Sequence, residues 1–191
     1  MKAVQFSETG GPEVLEYVGL PDPAPGPGEV LVKAASFGVG KPDYLMRSGI
    51  YKWMPPLPAI IGNEMAGHVA AVGHGVSEFA IGQPVLVFGT GGGRHAEFNS
   101  VPVDIVTALP AAVDLDDAVS IPNYAIAWCL LKEVVHGAED KSVYVNGASG
   151  GVGTAVIDLA RDLGFSIIAG AGSAGKCAFA AEIGADHTID Y

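Results

Sequence analysis

Ala148, Gly150 and Gly153 occupy the three small-residue positions of a G-x-G-x-x-G pattern, with alanine in the first. A short apolar run, Val143-Tyr144-Val145, enters this loop as an expected strand. Val152, Ala155, Val156, Leu159, Ala160 and Leu163 leave it at i, i+3, i+4, i+7, i+8 and i+11, the spacing of an amphipathic helix that Gly164 stops. Strand, glycine turn and helix together make a phosphate cradle. Glycine lets the backbone approach a ligand closely, and a helix N-terminus offers unpaired N–H groups with a partial positive charge. A strand before and a helix then a strand after are the context that turns this pattern into a dinucleotide fingerprint; without it, a glycine-rich turn in another α/β protein would serve as well. Ser149 belongs to this loop and not to a G-x-S-x-G nucleophile turn.

The end of the next strand selects the dinucleotide. An acidic residue there binds the ribose 2′-hydroxyl of NAD. This chain has Ala169-Gly170-Ala171-Gly172-Ser173, with no acid, then Lys176, and Tyr191 at the end of the third strand. A hydroxyl, an ammonium and no competing carboxylate suit a 2′-phosphate, so NADPH is expected. The nucleotide-binding set is Ala148, Ser149, Gly150, Gly151 and Val152 in the loop with Gly172, Ser173, Lys176 and Tyr191 beyond it.

Other chemistry is sparse. His68, His74, His95, His136 and His187 are scattered, and none forms H-x-x-x-H or pairs with a cysteine, so no metal ligand is assigned. His68 is read as structural, and His95, beside Arg94 after a glycine loop, is a mild cleft candidate. Asn63-Glu64 is expected to be a turn or an inner hydrogen-bonding pair. Tyr51-Lys52-Trp53-Met54-Pro55-Pro56-Leu57-Pro58 is an irregular apolar loop that could wall a ligand or simply cover the core.

These residues need elements to position them. Short strands at Lys2–Phe6, Val14–Val18, Glu29–Phe37, Met65–Val72, Val85–Phe88 and His95–Asn99, with turns between them, suggest a compact β-barrel or roll. A short helix is expected over Pro42–Arg47. The pattern changes at Asp114, an expected N-cap for Leu115–Ser120. Tyr124, Ala127, Trp128, Leu131 and Val135 then take helical spacing. The motif follows, then a strand at Phe165–Gly170, a helix at Ser173–Ile183 and a strand at His187–Asp190. The fold class is thus α/β plus β, with one domain over residues 1–122 and a second over 123–191. Three strands are about half of a doubly wound nucleotide domain. The expectation is a truncated sequence, or a partner chain or dimer that completes the sheet.

Composition narrows the class. With 49% apolar and 16% charged residues the chain can bury a sizeable core. A net charge of −11 argues against nucleic-acid binding, which draws on basic patches. Cys129 and Cys177 both sit in apolar helical patterns and are expected in the core. No signal peptide or membrane span is visible, so the cytoplasm is the expected location and no membrane partner is assigned.

Gly147-Ala148-Ser149-Gly150-Gly151-Val152-Gly153 closely resembles the loop of the zinc-independent, zeta-crystallin-like quinone oxidoreductases of the medium-chain dehydrogenase/reductase superfamily. Gly10-Gly11-Pro12-Glu13-Val14-Leu15, Arg47-Ser48-Gly49-Ile50-Tyr51, Gly62 to Gly67, Ala96-Glu97-Phe98 and Ala185-Asp186-His187 resemble the same family in order and spacing. The resemblance implies a GroES-like catalytic domain followed by a Rossmann domain, here its first half. It implies NADPH-dependent hydride transfer to a quinone or other α,β-unsaturated carbonyl, and a homodimer. It places Gly150, Gly151 and Val152 at the pyrophosphate and Ser173, Lys176 and Tyr191 at the 2′-phosphate. Tyr51 matches a tyrosine of the active-site cleft and is the catalytic candidate. Gly40, Leu45 and Ile126 stand where the family often has Asn, Tyr and Thr, so three hydrogen-bonding groups are lost. A relative that has lost catalysis and keeps only NADPH binding or a structural role is the alternative. In zinc-dependent relatives Gly40 would be a cysteine ligand and Asn63 a histidine, which agrees with a metal-free mechanism.

Overall fold

Period-2 burial builds the first half of the molecule. A computed structural model describes residues 1–135 and 141–191, with the backbone alone for 133–135. His136 and the side chain of Val135 therefore lie outside the described residues. The chain divides into two units, Met1–Val119 and Ser120–Tyr191.

In the first unit, β1 (Lys2–Phe6) pairs antiparallel with β2 (Glu16–Gly19). The second strand starts later than the expected Val14, because Pro12–Val14 forms a 3-10 turn. β3 (Glu29–Phe37) alternates as expected, with Val30 and Val32 fully buried. α1 (Lys41–Arg47) follows, with Pro42 in its first turn and the Gly40 N–H donating to the Asp43 carboxylate at 2.7 Å. β4 (Ala59–Ile60) was not foreseen, and it joins β1 and β2 in a three-stranded sheet. β5 (Glu64–Val72), β6 (Pro84–Phe88), β7 (Phe98–Pro102) and β8 (Val106–Ala108) complete a five-stranded antiparallel sheet in the order β7-β3-β5-β6-β8. Val30, Val32, Met65, Val69, Val85, Val87 and Val101 form its buried cluster. The expected His95–Asn99 strand is corrected: the ladder to β3 starts only at Phe98. His95 and Ala96 are tied instead to β1, through the Val4 N–H bond to His95 O at 2.9 Å and an Ala3–Ala96 bridge.

Asp114 caps α2 (Leu115–Ala118), its Oδ1 accepting the Asp116 N–H at 2.7 Å. In the second unit, α3 (Ile121–Val135) leads to β9 (Ser142–Asn146), α4 (Gly151–Asp162), β10 (Ser166–Ala171), α5 (Ala174–Glu182) and β11 (His187–Asp190). The sheet is parallel, ordered β11-β10-β9. Ala127, Leu131, Val145, Ile157 and Ile167 lie at its core. One expectation on α3 is corrected. Cys129 is exposed, whereas Cys177 is buried as expected. Trp128 is 49% exposed, although Ala127 and Leu131 of the same pattern are buried. A helix apolar on most of its faces does not reveal by period alone which face the core takes.

Candidate nucleotide and cleft sites

The cradle is built on close backbone contact. Val145 is buried, and the chain leaves β9 through Gly147 at φ +66, a left-handed conformation that glycine adopts without cost. Gly150 caps α4, and its N–H donates to Gly147 O at 2.9 Å. The Ala148 N–H donates to Gly170 O at 3.0 Å, which ties the loop to β10. A Cβ on Gly153 would lie 2.5 Å from Gly147 O and 2.9 Å from Ala148 Cα, so only glycine lets α4 sit this close to the loop. A Cβ on Gly151 would meet the Asn123 side chain at 2.7 Å. Asn123 thus stands over the first turn of α4, a neighbour that no local pattern in the sequence signalled. The first N–H groups of α4 have no partner within the helix and meet the loop's open side. A cavity of about 390 Å³ runs from Gly150 and Gly151 along β9, past Val143 and Tyr144, to Leu130 and Leu131. Spacing, N–H groups and absent Cβ atoms fit a dinucleotide diphosphate.

The parallel register carries the rest of the nucleotide set to the same edge. Asn146 pairs with Gly170, and Ala171 with Asp190, so the loop, Gly172-Ser173 and Tyr191 all follow the carboxyl ends of their strands. The Ser173 hydroxyl caps α5 by accepting the Lys176 N–H at 3.4 Å. The Tyr191 N–H donates to Ala171 O at 3.2 Å, while its side chain is exposed. Lys176 is exposed too. The second strand ends without an acid, yet Asp190 is exposed one strand further on, a carboxylate that was not counted among the competitors.

Tyr51 belongs to the first unit. It is half-buried, and its hydroxyl accepts a bond from Asn63 Nδ2 at 3.0 Å. Asn63 is buried and its Oδ1 accepts the Gly92 N–H at 3.3 Å, so the pair Asn63-Glu64 does supply an inner hydrogen-bonding group. The two readings of the apolar loop divide between its residues. Met54 covers the cluster of Phe6, Met46, Ala59 and Ile61, whereas Trp53 is half exposed, edge-on to Tyr51 at 5.5 Å. His95 is buried, its Nε2 bonded to Gly38 O at 2.9 Å and its ring near Phe37. His68 lies in β5, the strand expected there, with its side chain exposed. Leu45 is partly buried and Ile126 exposed.

Glu64 gave no sign of its state in the sequence. Burial first, then the nearby Asp43 charge, push its carboxyl up to about 7. Between the ordinary value and 7 the folded chain holds more protons than the unfolded one, so stability falls as pH rises through that window. Glu64→Gln should therefore match the wild type near about pH 5 and be more stable by about 1–2 kcal/mol near about pH 8, once partial solvent access is discounted. Urea unfolding at both pH values checks this; a variant less stable at the higher pH would contradict it.

An antiparallel β unit followed by parallel β-α-β steps with a glycine cradle is the arrangement of a GroES-like domain followed by the first half of a Rossmann domain. Residues 26–111 match the alcohol dehydrogenase GroES-like domain. The chain is 37% identical over 176 residues to a quinone oxidoreductase of Rattus norvegicus, covering 91% of this chain and 53% of that protein. It is 34% identical to a quinone oxidoreductase of Pseudomonas aeruginosa, covering 100% of this chain and 58% of that one. The structure of Escherichia coli quinone oxidoreductase complexed with NADPH superposes with a TM-score of 0.93 at 30% identity, covering 100% of this chain and 59% of that chain. The chain is thus similar along its whole length to quinone oxidoreductases, and it spans a little over half the length of the relatives it matches.

Proposed function

We propose that this chain binds NADPH at the β9–α4 turn and takes part in the zinc-independent reduction of a quinone or another α,β-unsaturated carbonyl. The observation that carries the reading is Gly153, whose missing Cβ lets α4 press its N-terminus onto the loop. Ala148, Ser149, Gly150, Gly151 and Val152 would hold the diphosphate. Gly172, Ser173, Lys176 and Tyr191 would hold the 2′-phosphate. When bound, the reduced nicotinamide supplies a hydride. Tyr51 contributes from the first unit: its oxygen accepts from Asn63, which leaves its own O–H to donate to a substrate oxygen. At the positions of zinc ligands in the zinc-dependent relatives, Gly40 and Asn63 offer neither thiolate nor imidazole, which supports a reaction without that metal. A cytoplasmic homodimer completes the proposal on the family resemblance. No described helix is long and apolar enough to cross a membrane.

The test is a pair of titrations. Lys176→Ala should weaken NADPH by about 10–100-fold, the worth of one charge-assisted bond to phosphate, and leave NADH within about twofold. Equal losses for both nucleotides would remove the 2′-phosphate assignment. The missing side chain at Gly40 and the apolar Leu45 and Ile126 favour a second reading, an NADPH-binding relative without catalysis. A chain that binds NADPH yet oxidises none of it with a panel of quinones and enones would decide for that reading.

A further inference from the structure

Asn146 ends β9 and stands immediately before Gly147 at the entrance to the loop. It is exposed, and no hydrogen bond holds its side-chain amide among the described residues. It lines the cavity that also opens on Gly150 and Gly151, where α4 starts. The backbone beside it is equally uncommitted. The bond from the loop to Gly170 O comes from the Ala148 N–H, and the Gly147 N–H donates to no group among the described residues. Gly147 has no Cβ to shield its nitrogen. A free amide nitrogen next to an unheld carboxamide is the arrangement for ring closure within the chain. The other asparagines lack it. Asn63 and Asn99 are buried with their side-chain amides hydrogen-bonded, and Asn123 precedes the bulky Tyr124.

We infer that Asn146 is a site of spontaneous deamidation and that its conversion closes the cradle to phosphate. The Gly147 nitrogen attacks Asn146 Cγ and gives its proton to solvent. The new N–Cγ bond closes a succinimide ring, the Cγ–Nδ2 bond breaks, and the amide group leaves as ammonia with a proton from water. Water then opens the ring. Addition at Cγ breaks the new N–Cγ bond and leaves aspartate. Addition at the main-chain carbonyl carbon breaks the original peptide bond and leaves isoaspartate, with the chain routed through the side chain. Both routes exchange NH₂ for OH, consume water, release ammonia, and oxidise or reduce nothing. Both also put a carboxylate on the cavity wall. There it takes up the positive end of α4 and repels a diphosphate. Isoaspartate lengthens the backbone ahead of Gly147 as well, whose carbonyl accepts the Gly150 N–H at 2.9 Å. The loss of nucleotide binding rests on the proposed NADPH site, whereas the deamidation does not.

The experiment ages the chain in mildly alkaline buffer, with and without saturating NADPH. Peptide mass spectrometry locates the NH₂-to-OH exchange, and fluorescence titration follows NADPH affinity. The exchange should accumulate at Asn146 ahead of Asn63, Asn99 and Asn123, more slowly with NADPH present, and affinity should fall in step with it. Asn146→Gln, whose longer side chain disfavours the ring closure, should keep its mass and its starting affinity through the same ageing. Asn146→Asp, measured fresh, should bind NADPH about tenfold or more weaker than fresh wild type, the effect of one added negative charge beside the diphosphate. Exchange that appears first at another asparagine would overturn the site. An Asn146→Asp chain that binds NADPH like the wild type would overturn the closure of the cradle. A fresh wild-type chain that binds no NADPH would overturn the nucleotide site and the closure with it, and the mass at residue 146 then decides the deamidation by itself.

Discussion

Gly153→Ala should cost the chain NADPH affinity by about 100-fold, because the loop would lose two or more of its bonds to charged phosphate oxygens. The added methyl would lie 2.5 Å from Gly147 O, 2.9 Å from Ala148 Cα and 3.0 Å from Ala148 C. All three are backbone atoms, so no side chain can swing aside. Either α4 moves off the loop or the loop moves off β9, and overpacking of this kind also costs about 1–3 kcal/mol of stability. Neighbouring Gly150 provides the control. Its φ is −84, and its nearest contact to an added Cβ would be Gly147 O at 3.3 Å. Alanine there should keep most of the binding. Fluorescence titration of both variants, with thermal melts alongside, checks the contrast; a Gly153→Ala chain that binds NADPH like the wild type would refute the cradle.

Gly67→Ala should destabilise the first unit by about 3 kcal/mol or more, enough to exhaust much of a typical domain's margin. Gly67 lies inside β5, paired with Ala34 on one side and Val85 on the other. The β3–β5 register shifts between Ala34 and Ser36, and the β3 backbone comes close beneath it. An added Cβ would meet Lys33 O at 2.1 Å and Lys33 C at 2.9 Å. The interior position of the strand leaves no edge toward which the contact could relax. Chemical unfolding monitored by tryptophan fluorescence from Trp53 measures the loss. A stability within about 0.5 kcal/mol of wild type would show that the register shift absorbs the methyl.

Local chemistry was legible in the sequence and distant pairing was not. The cradle, the alternation of β3 and the limits of α5 each follow from a few adjacent residues, such as Ser173 before the helix and Gly184 after it. The Tyr51–Asn63 bond joins residues twelve positions apart across an irregular loop, and no periodicity encodes it. His95 was visible as a polar residue after a glycine run. Its attachment to β1 and Gly38 depends on strands 57 residues or more away, which is why the expected strand began too early. One oxygen of Asp43 accepts the Gly40 N–H beside it in sequence, whereas the burial of the other depends on several elements and has no local signature. α3 failed for the opposite reason. Its abundant apolar residues satisfied more than one face, and Cys129 was placed inward when it lies outward.

The Ser173 cap gives one oxygen two duties. It accepts the Lys176 N–H that starts α5, and a 2′-phosphate at this edge would take the hydrogen of the same hydroxyl. Polarisation along that short chain of bonds would strengthen the cap when the phosphate arrives. Ligand recognition and the local opening equilibrium of a helix end then become a single linked process. Amide hydrogen exchange at Lys176 and Cys177 would report the nucleotide's third phosphate from inside the protein, and NADH would leave it silent.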